Sequence, residues 1–218
     1  MKRFTITLCT AAFLIACNND ETKVADSKPD ETKVAGASDS EKEPWKAVDS
    51  ATAEKNWHAY MTPGEPHAMM AKSNGEWVGE MSMWMAEGAP AMKSTTIATN
   101  KMVMGGRYQV SNHKGDFMGA PFEGMSTLAY DNAKKIYQST WIDNMGTGIM
   151  SMEGTWDEAS KSIQFKGRVL CPANGQEADM REIYRIIDDN THIMEMYGPD
   201  MKTGKEYKNM EIKFTRKK

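Results

Sequence analysis

The sequence predicts an all-β domain, an antiparallel up-and-down barrel of about ten strands preceded by two short helices. Three observations carry that prediction. From Gly75 onward apolar and polar residues alternate with period two, turn-forming residues punctuate the alternation, and helical patterning is confined to the stretch before Gly75. The first helix is expected over 46–61, with Trp57 and Tyr60. A second follows with Thr62 as its cap, Pro63 at the first helical position and Glu65 three residues after the cap. It carries His67, Met69 and Met70 and ends at Ser73-Asn74-Gly75. Strands are expected over 76–87, 92–104, 106–113, 122–130, 135–143, 148–157, 161–170, 179–187, 192–198 and 206–216. Gly105-Gly106, Lys114-Gly115-Asp116, Asp188-Asp189-Asn190 and Lys202-Thr203-Gly204 supply turns. Closing this meander removes the exposed edges it would otherwise carry. A sandwich is the competing architecture.

Two features at the ends of the strand region favour closure. Gly75-Glu76-Trp77 opens the first strand, and on the last strand Met210, Ile212, Phe214 and Arg216 share one face. This combination resembles the calycin, or lipocalin-like, barrels. There an arginine of the last strand lies over the tryptophan and shuts one end, a contact worth about 0.5–2 kcal/mol. The resemblance assigns Trp77 and Arg216 to structural closure.

A closer resemblance rests on Gly105-Gly106-Arg107, Pro121-Phe122-Glu123-Gly124, Leu128-Ala129-Tyr130-Asp131 and Trp141-Ile142-Asp143-Asn144. These runs are similar to the uncharacterised bacterial domain-of-unknown-function 1579 family over about 63–216. That resemblance implies a calycin-like barrel and no established activity. The heavy use of methionine sets this chain apart.

The N-terminal segment carries an address. Lys2 and Arg3 precede an apolar run over 4–15 that is too short to span a bilayer. It ends in Leu14-Ile15-Ala16-Cys17, which resembles the lipobox of bacterial lipoproteins. The resemblance implies a signal peptide over 1–16, lipid attachment at Cys17 and a membrane anchor in the cell envelope, at the outer membrane. Residues 17–45 read as a solvated acidic tether, in which 20–25 and 30–35 repeat the same six residue types. The polar start of the tether, Asn18-Asn19-Asp20-Glu21, also resembles the export signal of some surface lipoproteins. The folded part is expected over 46–218. Of the three cysteines, Cys171 alone remains for that part, so no internal disulfide is expected. It lies near a turn and reads as an inert buried thiol. The formal net charge of −3 and the absence of a basic stripe argue against nucleic acid as a partner.

Methionine dominates the candidate chemistry. Met81, Met83 and Met85 alternate on the first strand, as do Met102 with Met104, Met150 with Met152, and Met194 with Met196. Residues two apart on a strand share a face, so each set points one way, inward with Trp77. Three readings follow: a methionine-filled core, an adaptable cavity for a small apolar or amphipathic ligand, or Cu(I) handling by soft thioethers. The cavity reading names Trp77, Met81, Met83, Met85, Trp141, Met152, Tyr184, Met194 and Met196 as lining, with Asp143 and Glu182 as polar ligand contacts. His58, His67, His113 and His192 show no ligand spacing and read as surface residues, His192 being the best placed for an inward role. No G-x-S-x-G, H-E-x-x-H or C-x-x-C motif occurs. No cofactor or metal site is expected, and no protein partner is specified. Binding is favoured over catalysis, and an enzyme would need an inward polar pair such as Asp143 with Glu182 or Arg181. A structural interaction module is the remaining alternative.

Overall fold

In the computed structural model, which describes residues 44–218, helix α1 spans Ser50–Met61. Asp49 starts it by accepting from Thr52 N at 2.9 Å and Thr52 Oγ1 at 2.7 Å, which satisfies a donor that a helix start leaves open. No α1 residue is buried. Asn132 Nδ2 tethers its end by donating to the carbonyls of Ala59, Tyr60 and Thr62. The expected signal peptide, Cys17 and most of the tether lie outside the described residues. Residues Ala47–Lys218 form one unit.

Helix α2 spans Glu65–Lys72, and its start corrects the expected cap at Thr62. A helix begun at Thr62 would place Pro66 where the first intrahelical N–H is needed, and proline has none. Gly64 caps instead, Pro66 falls in the first turn, and Gly64 N donates to His67 Nδ1 at 3.1 Å.

Ten antiparallel strands follow: β1 (Gly75–Met83), β2 (Met92–Val103), β3 (Tyr108–Phe117), β4 (Ala120–Asp131), β5 (Ile136–Asp143), β6 (Met150–Asp157), β7 (Ser162–Cys171), β8 (Gln176–Asp188), β9 (Thr191–Pro199) and β10 (Glu206–Arg216). Each pairs with its sequence neighbours, and β1 pairs with β10 from Trp77↔Arg216 to Met83↔Met210, so the meander is a closed barrel. The sandwich alternative is thereby set aside. One expected turn is absent. β3 runs through Lys114-Gly115-Asp116 and turns instead at Met118 and Gly119, both at positive φ. Gly115 serves close approach rather than reversal, since a Cβ there would stand 2.6 Å from Thr95 O of β2.

The same device brings the backbones of β6 and β7 close together. A Cβ on Gly154 would meet Gln164 O at 2.6 Å, and one on Gly167 would meet Ser151 O at 2.5 Å. Backbone cannot yield as a side-chain tip can, so Gly154→Ala is expected to cost about 1–3 kcal/mol by overpacking. Urea unfolding monitored by tryptophan fluorescence measures it.

Apolar burial is concentrated in two clusters. One gathers Met70, Tyr137, Met152, Ile163 and Phe165, and the other Trp77, Ala98, Ile212 and Phe214. Met70 brings α2 onto the end of the barrel where β1 begins and β10 finishes. The opposite end, where β1 finishes and β2 begins, has no such plug among the described residues.

Candidate functional site

The closed end is a polar seat for the last turn of α2. Gln109 Nε2 donates to Met70 O at 2.7 Å, while Asn100 Nδ2 and Trp77 Nε1 donate to Ser73 O at 3.1 and 2.8 Å. Ser111 Oγ bridges Asn100 Oδ1 and His113 Nε2 at 2.5 and 2.8 Å. Beneath this seat Arg216 Cζ lies 4.3 Å from the Trp77 ring centroid, and the His192 ring lies against the indole at 4.4 Å, tilted by 30°. The guanidinium also donates to three backbone carbonyls, Asn74 O at 2.7 Å, Lys72 O at 2.6 Å and Asp189 O at 3.0 Å. One side chain thus ties the last strand to the end of α2 and to the β8–β9 turn.

Above the floor the inner face changes character. Met81, Met83, Met180, Glu182, Tyr184, Met194 and Met196 take inward positions, yet all remain half-buried, unlike Trp77 at 1% and Met152 at 3% exposure. A side chain inside a closed barrel keeps accessible surface where the lumen is not filled. A cavity of about 310 Å³ opens at the mouth between β1, β2 and β3, with Met81, Met83, Met92, Phe117 and Met118 among its walls. Around that mouth Met85, Met118, Met145, Ile149 and Met201 on loops and Leu170 near the end of β7 are exposed, an unusual concentration of apolar side chains. A second cavity, about 540 Å³, lies beside α2 and includes Met69, Tyr130, Tyr137 and Trp156.

The expected lining residues therefore divide. Met81 and Met83 line the cavity at the mouth, and Tyr184, Met194 and Met196 are half-buried on the inner face. Trp141 lies near the mouth, stacked on Phe122 at 6.3 Å and edge-on to His113 at 5.0 Å. Trp77 and Met152 belong to the packed floor. Met85 is a correction: β1 ends at Met83, so the alternation stops before Met85, which is 60% exposed. Met104 likewise leaves its row for the β2–β3 turn.

The two candidate carboxylates also part company. Asp143 accepts from Trp141 Nε1 at 2.7 Å and from Met145 N at 2.9 Å, so it fixes the indole and the β5–β6 turn. Glu182 sits among apolar walls, and burial alone pushes its carboxyl up to about 7. Arg181 points outward to Glu206 at 2.8 Å, so it forms no inward pair with either.

Reading the histidines as surface residues is corrected for three of them. His67 and His192 are buried at 5% and 4% exposure, and His113 faces the lumen. Burial lowers both His113 and His192 to about 4, which keeps them neutral near neutral pH. Their partners are the missed signal. Ser111 for His113, and Tyr184 Oη at 2.6 Å for His192, come from within the same strand or hairpin, at spacings shared by many unpartnered pairs. Among the described residues no group of three or more His, Cys, Asp or Glu side chains could hold a metal ion. Cys171 Sγ lies 3.9 Å from Met201 Sδ at the rim.

Comparison with solved structures places the architecture among known barrels. An S-type phycobiliprotein lyase from Guillardia theta is similar with a TM-score of 0.50 at 9% identity, over 71% of this chain and 94% of that one. At that identity the likeness concerns the fold. No curated protein matches the chain. The family model described as "Protein of unknown function (DUF1579)" matches residues 62–216, from the lead-in of α2 to the arginine that closes the barrel, and the chain belongs to that family.

Proposed function

We propose that this domain binds a small apolar or amphipathic molecule in its barrel without catalysing a reaction, as the soluble head of a lipid-anchored envelope protein. The carrying observation is the half-buried state of Met81, Met83, Met194, Met196 and Tyr184 on the inner face of a closed barrel in which Trp77 and Met152 are buried. Thioethers suit a site that must accept variable apolar shapes, because methionine repacks at little cost. The apolar rim of the mouth gives such a ligand a low-polarity path of entry. The anchor rests on the sequence: the lipobox-like Leu14-Ile15-Ala16-Cys17 assigns Cys17 to lipid attachment, and the polar stretch after it serves as a tether. Lipid attachment at Cys17 would keep the domain near the outer membrane, on its periplasmic face or at the cell surface, where amphipathic molecules partition.

The test is binding of a neutral apolar fluorophore, N-phenylnaphthylamine, to the full chain. Enhanced, saturable fluorescence is expected. Met196→Trp fills part of the lumen and is expected to weaken binding about tenfold while leaving the unfolding midpoint nearly unchanged. Absence of saturable binding, or equal affinity in the filled variant, contradicts a luminal site.

A further inference from the structure

The inner face of β8 carries one group that the barrel itself does not use. Glu182 stands between Met180 and Tyr184, and both neighbours fix its direction. Met180 packs against the inner core, and Tyr184 Oη meets the buried His192 Nδ1 at 2.6 Å. The register of β8 shifts only beyond Ile186, so Glu182 points into the same lumen as these two. On β7 the residue in register is Phe165, and on β9 it is Met196, so neither neighbouring strand offers a charge or a donor at this level.

The surrounding cations are all engaged elsewhere. Arg181 donates to Glu206 and lies 3.9 Å over the Tyr197 ring on the outer face, and Arg185 pairs with Glu195 at 3.5 Å. Arg216 is held by Trp77 and its three carbonyls. His113, on β3 at the opposite side of the ring, is held neutral near neutral pH, as is His192. Among the described residues no hydrogen bond or ion pair reaches the Glu182 carboxylate, whose raised pKa has burial as its one cause. Its oxygens are nonetheless not sealed away, because no buried side-chain oxygen among the described residues lacks a partner. A carboxyl group in apolar walls, open to the lumen and without a counter-charge, is expensive to ionise unless a ligand completes it.

We infer that the Glu182 carboxylate receives the head group of the ligand, and that this ligand is an amphipathic amine whose protonated nitrogen pairs with it while its apolar part lies along the methionines. The inference rests on the luminal-binding reading above. It also sets a direction of selectivity. Asp143 adds a second inner-face carboxylate near the mouth, so a fatty acid would meet like charge where an amine meets its complement.

Competition against N-phenylnaphthylamine on the full chain tests it. At about pH 8, where Glu182 is ionised, dodecylamine is expected to displace the probe at a concentration about tenfold below that of dodecanol, with dodecanoic acid weakest. Glu182→Gln is expected to abolish the amine preference and leave dodecanol within about twofold of its original value. Displacement by the acid as strong as by the amine, or an unchanged order in Glu182→Gln, overturns the assignment of Glu182 while probe binding upholds the lumen. Failure of the neutral probe to bind at all contradicts the luminal reading and takes this inference with it.

Discussion

Arg216→Ala is expected to lower the stability of the domain by about 2–4 kcal/mol, the largest loss foreseen for any single exposed-end side chain. The magnitude follows from what the guanidinium does at once. It covers the Trp77 indole at 4.3 Å and donates to carbonyls of Lys72, Asn74 and Asp189. Removing it leaves three carbonyls dependent on water and uncovers the largest fully buried side chain of the floor. Hydrogen bonds from a charged donor are worth about 1.5–3 kcal/mol each when buried. Here they are partly solvated and act together, so they do not add. Arg216→Lys keeps the charge but not the planar fork, and is expected to recover less than half of the loss. Chemical denaturation reads both variants. Because Arg216 lies below the lumen, probe affinity measured well below the unfolding midpoint should be unaltered. Stability equal to the parent would contradict the closure of the barrel by this residue.

Glu182→Gln is expected to act in the opposite sense, stabilising the unliganded protein by about 1–3 kcal/mol at about pH 8 and by almost nothing at about pH 4. The carboxyl value stands at about 7 in the folded protein against an ordinary 4.5. The folded chain therefore retains a proton that the unfolded chain releases across that window. The stability contributed by the neutral acid is whole below the window and is lost as pH rises through it. Glu182 is half-buried rather than sealed, so solvent screening keeps the figure below the full conversion of the shift. His113 and His192 run the other way. Both are lowered to about 4 from 6.5, so their stability is present above 6.5 and lost as pH falls towards 4. In the parent the two trends overlap and oppose each other. Glu182→Gln isolates the histidine trend, and thermal unfolding across pH separates them. A stabilising substitution at a carboxylate that the fold does not use marks a residue retained for binding.

Much of the barrel was legible because each strand states its own period. β10 is expected and found over Glu206–Arg216, and Trp77 and Arg216 share the inner face by simple parity. Glu182 was legible for the same reason, since it alternates with Met180 and Tyr184. The misread points share a different cause: each depends on a neighbour distant in sequence or on competing local rules. Gly115 resembles a turn glycine, yet its role is the approach of Thr95 O from the adjoining strand. Thr62-Pro63 resembles a helix start, and Pro66 overrules it by lacking the N–H that such a helix requires. The inward histidines show no motif because their roles are as neutral partners, His113 between Ser111 and Trp141, His192 between Tyr184 and Trp77. Met85 was misplaced because alternation alone does not say where a strand ends, and β1 stops at Met83.

The measurement that bears most directly on the central claim is native mass spectrometry of the full protein isolated from its own host in mild detergent. A reproducible added mass of several hundred daltons, lost from the Met196→Trp variant, is the predicted result. A clean unliganded mass, or an increment the size of a copper ion, would contradict an amphipathic ligand held in the barrel.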